Sequence, residues 1–187
     1  MANKDAAFGL RPIGKVGQNR DNQGLSEYDI NTTTSTIYFQ DPVKAVADGG
    51  ITVAAAGDLL LGSLNGIFYT DTSTKKPTWA NHYEANNAAT DVVGFVADDP
   101  YERFEIQSAG SVTGANIFLV ADISYAAGDS ANYVSKTEIS GTMTSGASAQ
   151  LRILGISKDP DNNDTSSANV NVVVNINEHV LNSANGI

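Results

Sequence analysis

Val170-Asn171-Val172-Val173-Val174-Asn175-Ile176-Asn177 sets branched apolar residues at the even positions and asparagine at the odd ones, with Val173 the one break. A period of two with β-branched side chains predicts a strand that buries one face and wets the other. The same period appears where Phe104, Ile106 and Ser108 alternate with Arg103, Glu105 and Gln107. Outward from these two stretches, residues 27–30, 36–40, 43–47, 51–55, 59–64, 67–70, 92–97, 116–121 and 151–157 read as further short strands. Turn chemistry separates them. Asp48-Gly49-Gly50 and Asn65-Gly66 are hairpin signals, because glycine reaches the positive φ that tight turns need. Asp41-Pro42 and Asp98-Asp99-Pro100 are stops. Helical periodicity is weak; 81–91 and 140–151 could each hold a short helix, though neither carries an apolar stripe. The prediction is a mainly β fold, a small antiparallel barrel or sandwich with at most one or two short helices.

Residues 1–27 differ from the rest. They hold Gly9, Gly14, Gly17 and Gly24 and only five scattered apolar anchors, Phe8, Leu10, Ile13, Val16 and Leu25. Too few to form a core, they predict an extended N-terminal arm followed by a single β-rich body over 28–187. Pro12 holds its neighbours extended, and Phe8 is costly to leave in water. Phe8, Leu10, Arg11 and Ile13 are therefore the expected contact residues of an arm laid on a neighbouring subunit. On this reading, removal of residues 1–15 leaves the body folded and abolishes binding.

The 187-residue chain is long enough for a substantial core, and 41% hydrophobic residues argue against general disorder. The formal charge is −10, from 21 acidic and 11 basic residues. That balance argues against nucleic-acid binding, which needs clustered cations, and against adhesion to an anionic membrane. With no cysteine, disulfides and thiolate metal sites are excluded. Neither an apolar run at 1–15 suited to a signal peptide nor a span-length apolar stretch is present. The sequons at Asn31 and Asn163 carry little weight in that setting.

Chemical motifs are sparse. His82 and His179 have no second ligand at metal-binding spacing; an aromatic surface cluster is expected for His82 and a strand end for His179. There is no nucleophile elbow, phosphate-cradling loop or dinucleotide fingerprint. Asp159, Asp161 and Asp164, interleaved with Asn162 and Asn163, form an oxygen-rich loop of the kind that can hold calcium. The EF-hand positions for glycine and glutamate are occupied by Asp164 and Val170, however, and the same residue types make solvated turns. Asp98, Asp99 and Glu102 could be paired carboxylates, but they abut Pro100, where a turn suffices. Trp79, Tyr83, Tyr69 and Tyr101 could supply stacking platforms for a glycan. No catalytic residue, cofactor or enzymatic activity is expected.

The opening Met1-Ala2-Asn3-Lys4-Asp5-Ala6-Ala7-Phe8-Gly9-Leu10-Arg11-Pro12-Ile13-Gly14 resembles the start of small structural proteins encoded beside the major capsid protein in tailed bacteriophages, particularly marine ones. Ile37-Tyr38-Phe39-Gln40-Asp41-Pro42-Val43, Phe104-Glu105-Ile106-Gln107 and Leu151-Arg152-Ile153-Leu154-Gly155 are similar to that group too. The resemblance, to head decoration or cement proteins, implies a β-rich body on the outer face of an HK97-type capsid. It further implies a homotrimer at local three-fold positions, bound to the major capsid protein and stabilising the mature shell, and hence a place on the virion exterior after synthesis in the host cytoplasm. Other virion components (tail tube, fibre or receptor-binding module) and a glycan-binding module or degraded hydrolase are the alternatives.

Overall fold

The computed structural model describes residues 2–17, 24–31, 33–146 and 148–182. Its strands are β1 (Arg11–Lys15), β2 (Ser26–Asp29), β3 (Pro42–Ala45), β4 (Ile51–Val53), β5 (Gly62–Thr70), β6 (Pro77–Ala80), β7 (Val93–Ala97), β8 (Glu102–Gln107), β9 (Val120–Ala121), β10 (Ile123–Ser124), β11 (Glu138–Ile139), β12 (Leu151–Ile156) and β13 (Asn171–Ile176). They form a five-stranded antiparallel sheet in the order β1-β8-β13-β12-β9, a six-stranded one in the order β2-β7-β5-β3-β4 with β6 also on β5, and the small β10-β11 pair. The fold is thus mainly β, with open antiparallel sheets in keeping with a sandwich and no closed barrel.

The two stretches with a period of two behave as their pattern requires. In β13, Val172, Val174 and Ile176 enter the core with Val170 just before them, and in β8 Phe104 and Ile106 join them. Leu151 and Ile153 of β12 complete that layer. The six-stranded sheet wraps a second cluster built on Ile30, Ile37, Val43, Leu64, Ile67, Tyr83 and Val96. Its far hairpin curls back towards the end of β2, where Asn31 Nδ2 donates to the Asp48 carbonyl at 3.5 Å.

Local signals held in one place and failed in another. Asp48-Gly49-Gly50 does join a hairpin, β3 to β4, with Gly49 at φ 87° and the Gly50 N–H donating to Asp48 Oδ1. Asn65-Gly66 does not turn the chain. β5 runs straight through it, with a register shift between Leu64 and Gly66 against β7. Gly66 sits at φ 148°, and a Cβ there would lie 2.3 Å from Trp79 Cζ2. The glycine serves a bulge over which an indole lies, and the true turn comes at 71–76, where Asp71 Oδ1 accepts from the Ser73 and Thr74 N–H groups. Neither expected helix forms among the described residues. Within 81–91, Tyr83 is fully buried and bridged to Ile37, and Asn86 takes φ 58°. Among the described residues the helical pieces are two 3₁₀ turns, Gly114–Asn116 and Val180–Asn182.

The N-terminal segment is extended, but it lies on its own body. β1 pairs with β8, Leu10 is fully buried in the first core, and the Leu10 N–H donates to the Gln40 carbonyl at 2.8 Å. The Ser63 hydroxyl donates to the Leu10 carbonyl at 2.6 Å. Gly9 passes so close to Gln40 and Ser135 that a Cβ would fall 2.3 Å from the Gln40 carbonyl oxygen. The expected boundary at 27/28 cuts β2, which already begins at Ser26; residues 18–23 lie outside the described residues.

Candidate functional site

The four expected arm contacts do not share a surface. Leu10 is core. Arg11 pairs with Glu105 and its guanidinium lies over the Phe8 ring, 4.3 Å from the centroid. Ile13 is pushed outward by the bulge between Pro12 and Gly14 and stands 47% exposed.

The Asp159–Asp164 loop closes on itself and on the N-terminus. Asp159 accepts from the Asp161 N–H and from Asn171 Nδ2; Asp164 accepts from the Ser166 N–H and from the Ser166 and Ser167 hydroxyls; Asp161 pairs with Lys4. Those donors hold the Asp164 carboxyl below its usual range. Asn3 bridges the loop by donating to the Asp164 and Ala168 carbonyls, and Asn162 Nδ2 donates to the Lys4 carbonyl. The acids here act as turn and clamp residues, and among the described residues no three metal-ligating side chains converge.

Asp98 accepts from the Ser26 hydroxyl and the Tyr28 hydroxyl, and burial with that bond pushes the Tyr28 phenol up to about 12. Asp99 pairs with Lys15 at 2.8 Å, and burial raises Glu102. His179 is 2% exposed beside Leu60, past the end of β13, and burial lowers its pKa. His82 stacks on Tyr133, with centroids 3.6 Å apart and planes at 6°, rather than on Trp79 or Tyr83. Each cluster has a structural use.

The expected stacking residues are dispersed: Tyr83 is core, Tyr69 packs against it, and Tyr101 lies beyond the six-stranded sheet in the turn before β8. Trp79 remains, and register gives it companions. Phe68 of β5 stands opposite Trp79 of β6 and opposite Val93 of β7, and Val93 stands opposite Asp29 of β2. Paired residues in antiparallel strands point to one side. One row therefore crosses the outer face as Asp29, Val93, Phe68, Trp79, and the adjacent row carries Glu27 opposite Phe95. Trp79 and Phe95 pack with centroids 5.1 Å apart at a 43° tilt. Trp79 is 54% and Phe68 44% exposed. The result is a flat aromatic patch on rigid strands, bounded at the β2 edge by two carboxylates. Sequence reading found Trp79 but missed Phe68 and Phe95, because it is the register of β5 with β6 and β7 that brings the three to one face. Compared with known protein families, curated proteins and solved structures, the chain matches none.

Proposed function

We propose that this chain is a non-enzymatic virion structural protein of a tailed bacteriophage, a head decoration protein that seats on the outer face of an HK97-type shell as a homotrimer and stabilises the mature capsid. The observation that carries a binding role is the Phe68–Trp79–Phe95 patch. Large aromatic side chains exposed together on strands, with little conformational freedom to lose, are the usual energetic centre of a protein interface. The capsid as partner rests on the sequence resemblance. The acidic rim of Glu27 and Asp29 calls for basic groups around an apolar depression on the shell. A protein that binds the expanded shell and not its precursor stabilises the mature state by mass action.

The test is co-sedimentation with expanded shells assembled from whichever HK97-type major capsid protein is encoded in the same genome. Wild-type protein should pellet with the shells. Trp79→Ala should lose about 2 kcal/mol or more of binding, roughly 30-fold, if Trp79 is a hot spot. Trp79 is the sole tryptophan, so seating the patch should also blue-shift the intrinsic emission. Wild-type protein left in the supernatant would overturn the capsid reading. Glycan binding lost in Trp79→Ala would favour the glycan-binding alternative.

A further inference from the structure

The opposite side of the molecule, the outer face of the five-stranded sheet, carries a different chemistry. Register places Arg103, Glu105 and Gln107 of β8, Asn171, Val173 and Asn175 of β13, and Arg152 of β12 on the side away from the first core. One end of this face is covered. Gln107 Nε2 donates to the Lys4 carbonyl, Gln107 Oε1 accepts from the Ala6 N–H, and the 159–169 loop lies over Asn171. The other end is an open groove lined by Lys15, Val16, Arg103, Leu154, Gly155 and Val173.

That end contains an incomplete polar row. Arg152 stands opposite Asn175, and the β13–β8 register, with Val174 opposite Phe104, brings Arg103 to the other side of the same asparagine. Arg103 and Arg152 thus hold register positions on either side of one asparagine. Arg152 donates to Asn177 Oδ1, a neutral acceptor. Among the described residues neither arginine has an ion pair, whereas Arg11, Lys4, Lys15, Lys44 and Lys136 all do. Glu105, the one carboxylate on the face, is already taken by Arg11 and the Ser157 hydroxyl. Glu102 belongs to the inward-facing set of β8; Lys15 first and then Arg103 favour its charged form, but only through space, without an ion-pair contact to Arg103 among the described residues. Arg103 Nε and Asn175 Oδ1 are buried without a hydrogen-bond partner. Beside this row the groove is aliphatic: Val173 is the one apolar residue at the odd positions of β13, and Val16 is 47% exposed. At the β12 edge, Phe118 is tied by its N–H to the Ile153 carbonyl, takes φ 71° and is 72% exposed.

We propose that this end of the sheet binds an acidic, aliphatic segment of a partner protein, with a carboxylate on the Arg103–Asn175–Arg152 row and an aliphatic side chain in the Val16–Leu154–Val173 groove. Charge complementarity selects the occupant. A guanidinium is the best-shaped donor for a carboxylate, and among the described residues neither of these two is held in an ion pair, in a chain of net charge −10. Two arginines are too few to hold a nucleic acid against that net charge, and the aliphatic half of the groove offers a free inorganic anion nothing. This site is independent of the capsid reading.

The test is a methyl NMR titration of the full chain with the acetylated, amidated peptide Glu-Leu-Glu-Leu-Glu, with Gln-Leu-Gln-Leu-Gln as control. Saturable shifts at the Val173 and Leu154 methyls are expected, at least tenfold weaker for the glutamine peptide and for Arg103→Gln, and weaker as salt rises. Gly155→Asp provides a second arm, because a Cβ at Gly155 meets nothing within 4 Å. It should keep the fold and lose the peptide at least tenfold, by setting a carboxylate in the groove. Absence of saturable shifts, equal binding of both peptides, full binding by Gly155→Asp, or inorganic phosphate competing as well as the peptide would each overturn the proposal.

Discussion

At the scale of single residues, Asp41 stands out as a carboxylate with no exposed surface. Its Oδ2 accepts from the Tyr38 N–H at 2.8 Å, while Oδ1 lacks a partner of good geometry. Burial pushes its pKa up to about 6, the Ser135 hydroxyl and the Tyr38 N–H only partly offsetting it. The facing titratable groups are Tyr38 and Tyr125, and burial first, then Asp41, pushes Tyr125 up to about 12. The folded state therefore binds the Asp41 proton more tightly than the unfolded chain. Its contribution is destabilising above pH 6, fades as pH falls through 6, and is gone below the ordinary carboxylate range. Asp41→Asn keeps an acceptor for Tyr38 and removes the charge. It should stabilise the protein at pH 8 by about 2–3 kcal/mol and have almost no effect near pH 3, measured as the difference in urea unfolding between variant and wild type at each pH. Taking the difference cancels His179, whose lowered pKa removes stability as pH falls below the usual histidine range. A variant no more stable than wild type at pH 8 would show that Asp41 is ionised without penalty.

At the scale of elements, the N-terminal segment is two pieces with different energetics. Residues 3–6 clamp the 159–169 loop through hydrogen bonds at the surface, whereas Gly9–Lys15 supply a core side chain and an edge strand. Leu10→Ala should cost about 2–5 kcal/mol. Deleting residues 2–7 should cost nearer 1 kcal/mol, because water can replace the lost partners. Removal through Lys15 should therefore unfold the chain instead of freeing a folded body. Chemical denaturation of the three forms checks the ranking, and a stably folded protein lacking residues 2–15 would refute it. The same elements show what the sequence could reveal. The alternations in β8 and β13 were legible because burial of one face writes a period of two directly into the chain. The Asp48-Gly49-Gly50 hairpin was legible because its hydrogen bonds close within five residues. Asn65-Gly66 carries the same local signal, but its outcome is decided by Trp79, thirteen positions away, whose ring needs the space a Cβ would fill. Leu10 and Phe8 differ in no local way, yet one is core and the other lies under Arg11, since Leu10 enters a cluster whose other members come from distant parts of the chain. The aromatic patch was legible only at Trp79; Phe68 and Phe95 join it through register, which no single segment encodes.

At the scale of the molecule, the two apolar clusters are joined by chain neighbours that serve one cluster each. Leu60 packs in the first and its neighbour Leu61 in the second; Ala97 packs in the first and Val96 in the second. Where these segments meet, Gly62 lies so close to β7 that a Cβ would fall 2.1 Å from the Ala97 carbonyl oxygen. Leu10 adds a further tie, since the Gln40 carbonyl that accepts its N–H belongs to a residue whose own N–H donates to the Leu64 carbonyl. Neither sheet can lose its packing without disturbing the strands that hold the other, so the described body should unfold as one unit. Phe104→Ala tests this, because Phe104 is fully buried in the first cluster and Trp79, the only tryptophan, sits on the sheet of the second. The substitution should cost about 3–5 kcal/mol. The urea midpoint reported by Trp79 fluorescence should fall by the same amount as the midpoint from far-ultraviolet circular dichroism. A Trp79 midpoint that stays at the wild-type value while the dichroism midpoint moves would mean that the two sheets fold separately, and that the aromatic patch and the Arg103 groove sit on independently stable parts.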